Sequence, residues 1–138
     1  MAYNHLFLDS DVLLDWLLNE QPFSLFTEGV LAESRIQNFK VSTSVLIIAY
    51  INFILSKKTN SSTAKKGIRT LVNAINILPF ESDIINLALN SNFADFEDSI
   101  QYHIAHKYNC DVIITRNIKD YKRSTIPVLT AEQFLRTL

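Results

Sequence analysis

Three short acidic segments carry the residue types that bind hard metal ions and act on phosphates. They are Asp9-Ser10-Asp11, with Asp15 further along; Asp95-Phe96-Glu97-Asp98; and Thr115-Arg116-Asn117-Ile118-Lys119-Asp120-Tyr121. Oxygen donors drawn from separated segments suit Mg²⁺ or Mn²⁺, with water and a substrate phosphate completing the shell. An ion held this way activates water and neutralises the charge that grows on phosphorus during in-line attack. Each segment also admits a plainer role. Asp9 or Ser10 can cap a helix, and Asp95, Glu97 and Asp98 can complement a helix dipole. The polar loop after Ile114 can be simple turn chemistry. Asp15 lies about a turn and a half beyond Asp9 and projects elsewhere, which leaves Asp9 as the candidate ligand of the first segment. Asp95 and Asp98, three apart, share a face if one helix includes both, while Glu97 points away. Three carboxylates within four residues exceed what capping needs, and their repulsion is better tolerated beside a cation.

Other chemistries find less support. His103 and His106 stand three apart on one helical stretch, but no third nitrogen or sulfur ligand has zinc-site spacing, so they read as packed or solvated helix residues, and His5 as structural. The single cysteine, Cys110, excludes an internal disulfide and a cysteine-rich zinc site, and reads as a buried thiol in a reducing compartment. Two glycines, Gly29 and Gly67, are too few for a Walker loop or a dinucleotide fingerprint. No serine sits in a nucleophile-elbow motif. A formal net charge of −1 provides no broad basic footprint, so contact with nucleic acid must come from a local patch or through a metal. No apolar run has the length of a membrane span, and the start MAYNHLFLDSD lacks the pattern of a signal peptide, so the expectation is a soluble, cytoplasmic protein.

The elements that must position these residues follow from periodicity. His5 to Leu8 reads as a buried strand running into Asp9, with a helix over Val12 to Leu18 and a second over Phe23 to Glu33. Phe39 to Ser42 is a strand, and Val45 to Leu55, strongly apolar, is assigned as a buried helix from its length. Asn60, Ser61 and Ser62 offer caps for a helix over Ala64 to Ala74. Ile75 to Leu78 is a strand, and Ser82 to Asn90 and Phe96 to Tyr108 are helices. Asp111 to Ile114 is a buried strand, Pro127 to Leu129 a short last one, and Ala131 to Leu138 the final helix. Alternating strands and helices, with strands apolar on both faces, predict one α/β domain over residues 1–138 with a central parallel sheet covered on both sides. Ligands of such sheets gather at the carboxyl ends of strands, which puts Asp9 and the Asn117 to Asp120 loop on one rim.

Two stretches, LFLDSDVLLDWLL and DFEDSIQYHIAHKYNCDVIITRNIKDY, together resemble the PIN-domain family, particularly a branch with a DFED-type helix and a TRNxxD-type loop. The resemblance covers nearly the whole chain. It implies a three-layer fold with a parallel sheet of four to five strands, and a Mg²⁺- or Mn²⁺-dependent endoribonuclease that is the toxin of a toxin–antitoxin pair. By that resemblance Asp9, Asp98 and Asp120 are catalytic, and the same three with Asn117 hold metal, Asn117 and Asp120 competing for the final place. Asp95, Glu97 and Thr115 assist, and Arg116 and Lys119 contact RNA. Partners implied are an RNA substrate, an antitoxin protein and a second copy of the chain, with no membrane. The family's second acid, a glutamate on the helix after strand two, has no counterpart, because Ser42 to Leu55 holds no acidic residue and Tyr50 stands in its place.

The alternative from another class is a catalytically weak or inactive PIN-like module that binds RNA or protein. A phosphatase of the haloacid-dehalogenase type, starting at Asp9-Ser10-Asp11, fits less well because Leu13 stands where that class has Thr or Val. Lys57, Lys58, Lys65, Lys66 and Arg69 form a candidate basic stripe, and solvation of a helix face accounts for them equally. Tyr50, Phe53 and Phe93 would suit a dimer interface, although core packing explains apolar residues more cheaply.

Overall fold

A parallel sheet needs strands that tolerate burial on both faces, and the first strand, β1 (His5–Leu8), meets this with Leu6, Phe7 and Leu8 fully buried. The computed structural model describes residues 3–138. After β1 come α1 (Ser10–Leu17), α2 (Phe23–Gln37), β2 (Lys40–Ser44), α3 (Val45–Lys58), α4 (Ser61–Ala74) and β3 (Asn76–Leu78). These are followed by α5 (Asp83–Leu89), α6 (Phe96–Lys107), β4 (Val112–Ile114), a 3-10 turn (Ile118–Tyr121), β5 (Val128–Leu129) and α7 (Ala131–Leu135). The strands form one sheet in the order β3-β2-β1-β4-β5, every pairing parallel. Helices flank it in the three-layer arrangement expected, with five strands. The expected span 1–138 includes Met1 and Ala2, which lie outside the described residues.

The order of the strands decides where a site can open. From β1 the chain steps through β2 to β3 on one side, then returns to β1's other edge with β4 and continues to β5. Direction therefore reverses between β1 and β4, and a crevice forms there at the carboxyl ends of the strands. Asp9 directly follows β1 and Thr115 directly follows β4, and the Asp9 amide donates to the Ile114 carbonyl at 3.0 Å, prolonging the ladder to the rim. Phe7 and Ile113 are register partners at the centre of the same pair, so the rim stands on the stiffest part of the sheet.

Local signals account for the element ends, and for the places where they depart from the sequence-based bounds. α2 runs four residues beyond Glu33 and stops at Asn38, whose φ of 59° is the left-handed conformation that ends helices. β2 then continues through Ser44 rather than stopping at Ser42, because Thr43 and Ser44 pair with Ile77 and Leu78. The Ser44 hydroxyl accepts the Ile47 amide and so starts α3 without a break. α4 begins three residues earlier than expected, since the Asn60 carboxamide accepts the Thr63 amide. α7 ends at Leu135 instead of Leu138, and its start is fixed by a reciprocal cap between Thr130 and Gln133. One further expectation is corrected. The segment after Thr115 is not all irregular, since Ile118–Tyr121 form a 3-10 turn. Of the two readings of Phe93 the interface one gives way to core packing, since it is partly buried against the rings of Tyr102 and Tyr121, at centroid distances of 5.0 and 6.3 Å.

Polar groups inside the sheet are all satisfied among the described residues. Thr43 donates to the Leu8 carbonyl, Ser42 pairs with His5, and Ser44 donates to the Gln101 side chain, linking β2 to α6. Cys110 is buried, and desolvation pushes its thiol up to about 12. No helix among the described residues is long and apolar enough to cross a membrane.

Candidate active site

Asp9 caps α1 while standing at the end of β1, and both oxygens of its carboxylate are engaged. Oδ1 accepts the Ser10 amide at 2.8 Å. Oδ2 accepts the hydroxyls of Thr115 and Tyr121, both at 3.1 Å. Thr115 and Tyr121 are themselves buried, so the group is fixed from three elements. Burial, followed by the charge of Asp11, raises the Asp9 carboxyl to about 6 in spite of these donors.

Asp98 approaches from α6. Asp95 caps that helix by accepting the Asp98 amide at 3.0 Å, so the two acids are cap and third helical residue rather than partners on one face. Desolvation is the largest influence on Asp98, followed by the charges of Asp95, Asp9, Asp120 and Glu97, and together they raise its carboxyl to about 7. The same carboxylates that repel one another here would be relieved by a divalent cation.

Asp9, Asp98, Glu97, Gln101, Tyr50 and Phe53 line one cavity of about 440 Å³. Tyr50, at the position where the sequence lacks an acid, thus faces the same space as the two aspartates. Asp120, on the exposed side of the 3-10 turn, does not line this cavity, although its charge reaches Asp98. Asn117 is turned the other way. Its amide nitrogen donates to Asp11 at 3.3 Å, and it lines a second cavity of about 330 Å³ with Asp15, Phe23 and Arg116. Glu97 is exposed at the mouth, and Lys119 is exposed beyond it.

A second acidic arrangement supports the first. Asp11 accepts from the Thr115 hydroxyl, the Arg116 amide and the Asn117 side chain. Asp15 is buried and receives Arg116 bidentately, Nε to Oδ2 at 2.9 Å and Nη2 to Oδ1 at 3.0 Å. The guanidinium also lies over the Phe23 ring at 4.3 Å. Burial raises the carboxyls of both Asp11 and Asp15, with Arg116 opposing. Sequence reasoning passed over Asp11, Asp15, Tyr121 and Gln101. The four-residue spacing of Asp11 and Asp15 on one helix was a usable signal, as was Gln101 three residues after Asp98.

The donor set suits a hard cation in kind: carboxylate oxygens, mutually repelling, on the rim where the sheet reverses. Among the described residues, however, no three His, Cys, Asp or Glu side chains are grouped closely enough to hold an ion together. The fit is that of two carboxylates, Asp9 and Asp98, with water supplying further positions and Asp120 nearby.

A five-stranded parallel sheet with acids at the β1/β4 reversal defines a class, and the chain matches the PIN domain family over residues 5–119. It belongs to that family. It is similar to Ribonuclease VapC1 of Aquifex aeolicus, 28% identical over 139 aligned residues, which cover 97% of this chain and 95% of that one. Among solved structures it resembles a chain of VapBC2 from Rickettsia felis bound to a promoter DNA fragment, with TM-score 0.70 and 16% identity over 91% of this chain and 96% of that one. It also resembles a chain of VapBC-1 from nontypeable Haemophilus influenzae, with TM-score 0.68 and 18% identity over 93% and 98% of the two chains.

Proposed function

We propose that this chain, acting as a single domain, is a divalent-metal-dependent endoribonuclease of the toxin type, restrained by a partner antitoxin. The observation that carries the reading is the pair Asp9 and Asp98 on one cavity at the sheet reversal, each raised in pKa partly by neighbouring carboxylates. Likeness to a ribonuclease over nearly its full length, and to chains of VapBC assemblies, supports both halves of the proposal.

In this reading Asp9 and Asp98 would hold Mg²⁺ or Mn²⁺, with Asp120 as an outer contributor, while Asn117, which donates to Asp11 and lines the other cavity, stands outside the set. A divalent ion bound there would supply an activated water and neutralise charge on the scissile phosphate. Asp9 is kept in place by the Thr115 and Tyr121 hydroxyls, so its oxygens need no reorganisation when substrate enters. Asp95 holds the first turn of α6 and hence Asp98. Glu97 lines the cavity mouth and Lys119 stands exposed on the 3-10 turn, where an ammonium can meet a backbone phosphate. Arg116 has a different balance of roles: its pairing with Asp15 makes it a brace for the Thr115 loop before it is an RNA contact.

The test is cleavage of RNA by the purified chain with Mn²⁺ or Mg²⁺. Activity should vanish with chelator and in Asp98→Asn; cleavage unchanged by that substitution would point to a contaminating nuclease and remove the support. Growth arrest on expression, relieved by co-expression of a small protein that binds the chain, checks the antitoxin half. A second reading, a binding module with weak or no cleavage, is favoured by Tyr50 facing the cavity in place of an acid. It predicts RNA or protein binding that survives Asp98→Asn and no turnover with either metal.

A further inference from the structure

Exposed aromatic side chains are informative when they line a site, and α3 presents two. Tyr50 is 45% and Phe53 53% exposed, although the helix around them is apolar and its Ile47, Ile51 and Leu55 are buried. Three residues apart, they share a face. Both line the cavity that also contains Asp9 and Asp98. One turn further on, the Lys57 ammonium lies 4.5 Å from the centre of the Phe53 ring, and Lys58 follows at the helix end. The two rings and the ammonium therefore lie along one face of α3, and the rings border the cavity into which Asp9 and Asp98 face from β1 and α6.

The chemistry of that run matches one class of ligand. An unpaired nucleotide offers a flat base, which stacks on an aromatic ring, and a phosphate, which seeks a cation; a base locked in a duplex offers no free face. A protein partner would explain two exposed rings, but it gives no reason for them to share a cavity with the acids while an ammonium lies against one of them.

We propose that Tyr50 and Phe53 form a stacking subsite for an unpaired base of the RNA strand next to the scissile phosphate, with Lys57 taking the adjoining phosphate. This rests on the ribonuclease reading and makes the substrate single-stranded at that position. The residue that occupies the place of a missing acid thereby acquires a task of its own, substrate capture.

The experiment uses full-length Asp98→Asn chain, in which cleavage is blocked, and fluorescence anisotropy of a short labelled single-stranded RNA. Tyr50→Ala and Phe53→Ala should each weaken binding about fivefold to 150-fold, the range for loss of one stacked base. Tyr50→Phe should bind like the parent, since the ring and not the hydroxyl stacks, and the same RNA as a duplex should bind weakly to all. Circular dichroism of each variant checks the fold, and both side chains are exposed enough that truncation leaves no core cavity. Unchanged affinity in both alanine variants overturns the subsite, the more so if sedimentation shows a dimer becoming a monomer, which assigns the face to a second copy. In that case cleavage by the chain with Asp98 intact still upholds the ribonuclease reading. A chain that neither binds nor cleaves RNA overturns both.

Discussion

Replacing Asp9 by Asn should stabilise the metal-free protein at neutral and alkaline pH, and the sign can be worked from its surroundings. The Asp9 carboxyl lies at 3.8 in the unfolded chain and about 6 in the folded one, with burial the largest cause. A carboxyl raised by folding favours the folded state only in its protonated form. Its contribution is neutral below about pH 4, grows steadily more unfavourable between about 4 and 6, and is constant above that. The interval from 3.8 to about 6 corresponds to about 3 kcal/mol of destabilisation at pH 8. Asparagine removes this penalty and retains the cap, since its oxygen can still accept the Ser10 amide. It loses the charge-assisted bonds from Thr115 and Tyr121, whose hydroxyls must turn to accept from the new amide, at about 1 kcal/mol. The net expectation is a gain of about 2 kcal/mol near pH 8, shrinking through zero to a small loss near pH 4. Urea unfolding followed by the fluorescence of Trp16, the one tryptophan, measures it with chelator present throughout. A variant less stable than the parent near pH 8, or a gain that does not change with pH, would refute the account of Asp9 as an electrostatic burden carried for function.

Further perturbations probe the surroundings. Asp98, raised to about 7 mainly by burial and neighbouring acids, adds to the same trend, so thermal scans of the unsubstituted metal-free chain should show the midpoint falling as pH rises from about 4 to 7, with Mn²⁺ reversing the fall. Arg116→Ala strips the buried Asp15 of its partner while half of the guanidinium is solvated, and about 2 kcal/mol should be lost in urea titrations, more near pH 8 than near pH 5. Thr115→Val, of nearly equal volume, removes the donor to both Asp9 and Asp11 and should reduce stability by about 1–3 kcal/mol; cleavage, if retained in full, would show that Thr115 has no bearing on the site. Cys110, buried with its thiol at about 12, should resist a thiol reagent in native buffer and react at once in urea.

The elements were legible in the sequence where periodicity is strong and local. The bounds of β1 are those read from His5 to Leu8, and α3 was recognised because eleven strongly apolar residues without Gly or Pro are too many for a strand. Ends were less legible, because they depend on a single cap or on pairing with a distant strand. Asn60 moves the start of α4, and β3 lengthens β2. The acids of the site could be picked out as a set, and the alternation of strands and helices put Asp9 and the Thr115 loop on one rim. What could not be read is which partners each acid takes. Thr115 reaches Asp9 across 106 positions and Arg116 reaches Asp15 across 101, contacts created only by β1 lying beside β4. The choice between interface and core for Phe93 was open for a related reason, since its packing depends on Tyr102 and Tyr121 arriving from two other segments.

The central place of β1 has a consequence for how the chain comes into being. Its first strand leaves the ribosome early and finds β2 soon afterwards, yet its other edge stays open until Val112–Ile114 have been made. Thr115 and Tyr121, the hydroxyls that fix Asp9, come later still. A nascent or prematurely terminated chain therefore lacks the assembled rim. For a protein proposed to attack RNA, the order of the chain itself acts as a delay: Asp9 is made long before the strand and the two hydroxyls that put it in working position.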